Sequence, residues 1–130
     1  MRLATLSFLL LAASPLSIAA KPRGSTTFDH YHTRIGIKAE NERLKNYAIQ
    51  LRNAPNSRGL IVVYAANEKS QKSAKARAQR AYTFVLKTGV EPGRIVWRYE
   101  AACKNEQIIL YLMFADESIP PRDPKCMRAG

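Results

Sequence analysis

Acid is what this chain is short of: 10 Asp and Glu stand against 21 Lys and Arg in 130 residues, a formal net charge of +11. Such a field attracts anions, among them glycan carboxylates, lipid phosphates, nucleic acid and acidic protein, so charge fixes the sign of a partner without naming it. Cysteine is scarce as well. Cys103 and Cys126 are the only two, and they lack the number and spacing of a zinc site. Glycine-rich phosphate loops, dinucleotide fingerprints and Ser or Cys nucleophile motifs do not occur, so nothing in the sequence requires an enzyme or a cofactor. After the first twenty residues no stretch is apolar for long enough to cross a bilayer.

What is present begins with an export signal. Arg2 precedes an apolar run from Leu3 to Leu11, interrupted only by Thr5 and Ser7, and small residues then dominate from Ala12 to Ala20. That order predicts a signal peptide over residues 1–20, cleaved after Ala19 or Ala20. Its apolar core falls short of the ~20 residues a spanning helix needs. Neither cleavage site leaves a cysteine first, which argues against a lipid anchor, and the expected location is periplasmic or secreted. In such an oxidising compartment Cys103 and Cys126 are expected to pair, closing a loop at a stabilisation of about 3 kcal/mol. The roughly 110 residues that remain suffice for one domain with a modest core.

Residues 21–27 have no apolar periodicity and read as a flexible lead-in. Phe28, Tyr31, Ile35 and Ile37 among polar neighbours make a weak strand over 28–37. A helix is predicted over 39–53, with Leu44, Tyr47, Ala48 and Leu51 on its buried stripe and Glu40, Glu42, Arg43, Lys45 and Arg52 assigned to its other face. Pro55 ends it before Leu60–Tyr64, a continuous apolar run expected as a central strand. The second helix, about 70–88, collects Ala74, Ala78, Ala81, Tyr82 and Val85 in one arc and Lys69, Lys72, Arg80 and Lys87 on the other side. Alanines on the buried stripe predict close approach to a sheet, and Gly89 stands where a C-cap is wanted. Glu91–Arg94 has the Pro-Gly pair of a type II turn. Strands follow at 95–99 and 107–114, and the proline-rich tail 116–130 is expected to lack regular structure. The order (β)-α-β-α-β-β implies a two-layer α/β sandwich: a mixed sheet with two helices.

Over 28–115 this order and several phrases resemble the OmpA-like C-terminal domain family, whose best-known members bind peptidoglycan. The phrases are Glu42-Arg43-Leu44 with Ala48, Leu51, Pro55 and Gly59; Leu60 to Tyr64; Ala76-Arg77-Ala78-Gln79-Arg80-Ala81; and Gly89-Val90-Glu91-Pro92-Gly93-Arg94-Ile95. The resemblance implies a non-catalytic envelope module. In peptidoglycan-binding members, an arginine of the second helix and an aspartate after the central strand grip the carboxylate and ammonium of the stem-peptide diaminopimelate. Arg77 matches that arginine, and its planar fork suits a carboxylate. The aspartate has no counterpart, because the chain reads Ala65-Ala66-Asn67-Glu68-Lys69 there. Asn67 offers a hydrogen bond to an ammonium without neutralising it, and Glu68 is the nearest carboxylate. The ligand expected from the resemblance is peptidoglycan or another anionic envelope polymer.

Two other constellations compete. His30 and His32, beside Asp29, supply two imidazoles on one side of a strand, and with nearby acids they support an alternative reading as a small secreted enzyme or toxin acting on an anionic polymer. A metal site needs a third ligand, which the sequence does not place. Lys69, Lys72, Lys75, Arg77 and Arg80 form a basic run, but nucleic-acid modules add exposed stacking aromatics. Tyr82 falls on the apolar arc, and Trp97 shares a strand face with Ile95. A solvated helix face is the expected role of that run, with nucleic acid disfavoured as a partner.

Overall fold

The structure, a computed structural model, describes residues 26–100 and 105–121. Six main elements follow one another: β1 (Thr26–His32), α1 (Ile37–Asn53), β2 (Ser57–Tyr64), α2 (Gln71–Lys87), β3 (Ile95–Glu100) and β4 (Gln107–Phe114), with short 3-10 turns at Glu68–Ser70 and Pro92–Arg94. The strands lie in the order β1-β4-β2-β3. β2 and β3 are parallel and are joined through α2, whereas β4 runs antiparallel to both β1 and β2. This is the mixed sheet with two helices expected from the sequence.

Period-2 alternation sorts the sheet into two faces. Ile61, Val63, Ile108, Leu110 and Ile95 point to the helices. There they meet Leu44, Tyr47, Ala48 and Leu51 of α1 and Ala74, Ala78, Ala81 and Val85 of α2, all buried. Full burial of a side chain the size of leucine contributes about 1.5–3 kcal/mol. The other face is apolar too: Leu60, Val62, Tyr64 and Met113 are buried, with Val96, Ile109 and Tyr111 packed on them. On that side Arg98 reaches the chain beyond β4, Nη1 donating to the Pro120 carbonyl at 2.5 Å and Nη2 to that of Pro121 at 3.4 Å.

Two glycines have a physical reason to be glycine. A Cβ on Gly59 would collide with the Tyr47 hydroxyl and approach Leu51 Cδ1 to 3.1 Å. The bare backbone there lets Tyr47 reach down to the sheet and donate to the Tyr111 carbonyl at 2.7 Å. Gly89 has φ of 101°, a left-handed conformation in which its N–H reaches the Leu86 carbonyl at 3.0 Å and ends α2.

Three local expectations are corrected. β1 covers Thr26–His32 and stops before Ile35, while Ile37 opens α1 at 61% exposure. A register shift between Thr27 and Asp29 makes Phe28 an extra residue in β1, so Phe28 and Tyr31 both serve the helix-side core despite their odd spacing. Pro92–Arg94 forms a 3-10 turn in place of a type II turn; Gly93 does not take positive φ, and Arg94 N–H closes on the Glu91 carbonyl at 3.0 Å. The Arg94 side chain fixes that geometry. It donates from Nη2 to the carbonyls of Leu51, Ala54 (2.8 Å) and Ser57 (3.1 Å), completing the C-terminal end of α1. Finally, Glu40 does not belong to the solvent face of α1. At 1% exposure it is part of the buried stripe, one turn before Leu44.

Candidate functional site

At the C-terminal end of β2 the chain leaves the sheet and turns into α2, and an open cleft of about 260 Å³ lies there. Its floor is Val63, Tyr64 and Ala65; one wall is Ser70, Ser73, Ala74 and Arg77 of the α2 side; the other is Thr33 and Arg34 after β1, with Glu106 ahead of β4. Segments distant in sequence thus converge because β4 inserts between β1 and β2.

Arg77 is held from behind. Its Nη2 donates to Glu40 Oε2 at 2.5 Å, and Arg80 Nη2 reaches the same oxygen at 3.0 Å. A buried carboxylate is sustained only by such charged partners. The Arg77 side chain is 21% exposed, and its Nε, buried, has no partner among the described residues. Tyr31 is also buried by Glu40. Burial first, and then the Glu40 carboxylate, raise its hydroxyl well above the usual phenol range, with the Arg77 charge pulling the other way. Tyr64 borders the cleft at the end of β2, but its side chain packs on the opposite face of the sheet, where burial and then Tyr111 raise its hydroxyl above the usual phenol range.

Asn67 is brought near but not into the cleft. Its Oδ1 accepts the Ser70 N–H at 3.1 Å while Ser70 Oγ accepts the Asn67 N–H at 3.2 Å, a reciprocal cap that sets the tight turn into α2. Asn67 and Glu68 are both exposed, and neither lines the cleft. The one carboxylate that does is Glu106, whose Oε2 accepts the Thr33 hydroxyl at 2.8 Å. Arg34 brings a second cation; its backbone N–H donates to His32 Nδ1 at 3.1 Å.

The imidazoles do not converge with this site. His30 and His32 are exposed on the strand face opposite buried Tyr31, and the neighbouring Asp29 is tied to Arg43 at 2.7 Å. Among the described residues no three His, Cys, Asp or Glu side chains are grouped to hold a metal. Lys72, Lys75 and Arg80 are exposed on α2, a helix with no acidic residue in its 17 positions. Trp97 is half-buried against the helix-side core. Cys103 and Cys126, the signal segment and most of the proline-rich tail lie outside the described residues.

Sequence reasoning missed Glu40, Glu106, Thr33 and Arg34. Glu40 had a signal, its place four residues before Leu44 on the apolar stripe. Glu106 had none, since only the sheet order brings it opposite α2.

No family model matches the chain, and no curated protein does. Among solved structures it is similar to the periplasmic domain of Helicobacter pylori MotB, with a TM-score of 0.52 at 11% sequence identity. The match spans 60% of this chain and 64% of that one. At that identity the likeness establishes architecture: the chain has the OmpA-like α/β fold, a mixed four-stranded sheet carrying two helices.

Proposed function

We propose that this protein is an exported, non-catalytic module of the cell envelope that binds peptidoglycan or another anionic envelope polymer through the cleft at Arg77. The observation that carries the reading is the place of Arg77: at the position matched to the family's arginine, it lines an open cleft with its side chain partly exposed and anchored to Glu40. The sequence resemblance and the fold shared with a periplasmic domain support it. Exposed cations of α2 beside the cleft add long-range attraction for a polyanion. Without the family's aspartate after β2, charge carries most of the attachment.

The test is co-sedimentation of the mature protein with purified peptidoglycan across a salt series. Binding is expected to fall steeply through the physiological range, where the screening length shortens to about 8 Å. Arg77→Ala is expected to weaken it more than Lys69→Ala. Equal losses would reduce the interaction to a diffuse basic face, and no sedimentation at any salt would remove the peptidoglycan reading. The same preparation, run against nuclease and glycan-hydrolase substrates, is expected to show no turnover; activity lost with His30→Ala or His32→Ala would replace this reading by the enzymatic one. Its intact mass is expected to show Cys103 and Cys126 as a disulfide.

A further inference from the structure

We infer that the outward face of the helix layer is a second binding surface, one that lies flat on anionic phospholipid. It goes beyond the cleft, since none of its cations lines that site.

α1 and α2 pack on the same side of the sheet, so their polar sides turn away from it together. In α1, Lys38, Lys45 and Arg52 recur every seven residues, opposite the buried stripe of Leu44, Tyr47 and Leu51. In α2, Lys72, Lys75, Arg80 and Lys87 stand opposite Ala74, Ala78, Ala81 and Val85. All seven cations are exposed, Arg80 included, although it also touches Glu40. The one exposed acid on either helix is Glu42. Together the helices hold nine Lys and Arg against two Glu, of which Glu40 is buried. In the rest of the described residues, five Lys and Arg stand against seven Asp and Glu. Positive charge is thus concentrated on one face of the fold, where a diffuse net charge would spread it over all of them.

Shape and chemistry select the partner. Two 17-residue helices side by side, each about 25 Å long, present a broad array. Single-stranded nucleic acid takes stacking aromatics, and those of α2, Tyr82 and Phe84, pack against the core. A layer of lipid phosphates matches a broad array of cations, each worth about fivefold in affinity. Ile37, at the first position of α1 beside Lys38, is exposed. A lipid surface shelters such an apolar side chain, and a dissolved polyanion does not.

Co-sedimentation of the mature protein with phosphatidylcholine vesicles, with and without roughly 30% phosphatidylglycerol, tests this. Wild type is expected to follow the anionic vesicles alone and to be released as salt shortens the screening length. Lys45→Gln is expected to weaken binding about fivefold, and Lys45→Gln with Lys75→Gln about twenty-five-fold. Arg58→Gln removes the same charge from the strand face opposite the helices, the face of Leu60 and Val62, and is expected to cost less than about twofold. Ile37→Ser, at unchanged charge, is expected to weaken binding about threefold. Equal losses in Lys45→Gln and Arg58→Gln would reduce the attraction to net charge and overturn the inference. So would an Ile37→Ser variant as tight as wild type, a single-stranded oligonucleotide bound more tightly than the vesicles, or no binding to anionic vesicles at all. Arg77→Ala is expected to keep vesicle binding within about threefold while weakening peptidoglycan binding; loss of both would make face and cleft one site and end the inference. Vesicle results as expected without peptidoglycan sedimentation would remove the cleft reading alone.

Discussion

An arginine stands near each end of β2, and the two are satisfied in opposite ways. At the beginning of the strand Arg94 gives its hydrogens to the carbonyls of Leu51, Ala54 and Ser57, closing the end of α1 against the sheet. At the far end Arg77 gives Nη2 to buried Glu40, and its partly exposed side chain lines the cleft. Guanidinium has five donors in a fixed fork. Where backbone carbonyls take them, the arginine is a structural brace. Where one carboxylate holds the group and the side chain borders an open cleft, donors are left for the ligand proposed above.

The comparison breaks most severely if Glu40 is stripped of both partners. The double variant Arg77→Met with Arg80→Met leaves a buried carboxylate uncompensated and is expected to cost about 3–5 kcal/mol of unfolding free energy. Each single variant should cost far less, since the other arginine still touches Oε2; chemical denaturation of all three measures the non-additivity. Arg94→Met is expected to cost about 2–3 kcal/mol through its unpaired helix-end carbonyls, yet to leave peptidoglycan binding intact well below its melting temperature. A binding defect in that variant would erase the distinction between brace and site. Ala78→Leu, on the stripe that holds α2 against the sheet at 0% exposure, is expected to cost about 1–3 kcal/mol by overpacking. Thermal melts should show Lys72→Leu, on the exposed side of the same helix, within about 0.5 kcal/mol of wild type. Gly89→Ala is expected to cost about 1–2 kcal/mol for a side chain in a left-handed conformation, with no effect at the cleft.

The architecture was legible because its signals are local and repeated. The stripe Leu44, Tyr47, Ala48, Leu51, the alanine arc of α2 and the run Leu60–Tyr64 each follow one period, and the structure buries them as that period requires. β1 was less legible, since an extra residue at Phe28 breaks the alternation that would identify it. Glu40 reads as surface by its charge and as core by its spacing, and the spacing was right because two arginines of the next helix meet it. Arg77 was singled out through a phrase of sequence, and the structure puts it on the cleft wall. Thr33, Arg34 and Glu106 have no phrase: they become neighbours of α2 only through strand order, which no local pattern encodes.

The strand that gathers them is also the last in chain order among the described residues. β4 is central in the sheet, and its partners include Thr26 near the start of the described chain and Ser57 in its middle, paired with Leu112 and Phe114. Until residue 114 is in place, β1 has no neighbour and β2 has only β3, so the early part of the chain lacks the hydrogen bonds that would let it settle. Pairings between such distant segments make folding slow and late. Among the described residues, the sheet, the helix-side core and the cleft are therefore complete only once β4 has paired with both β1 and β2.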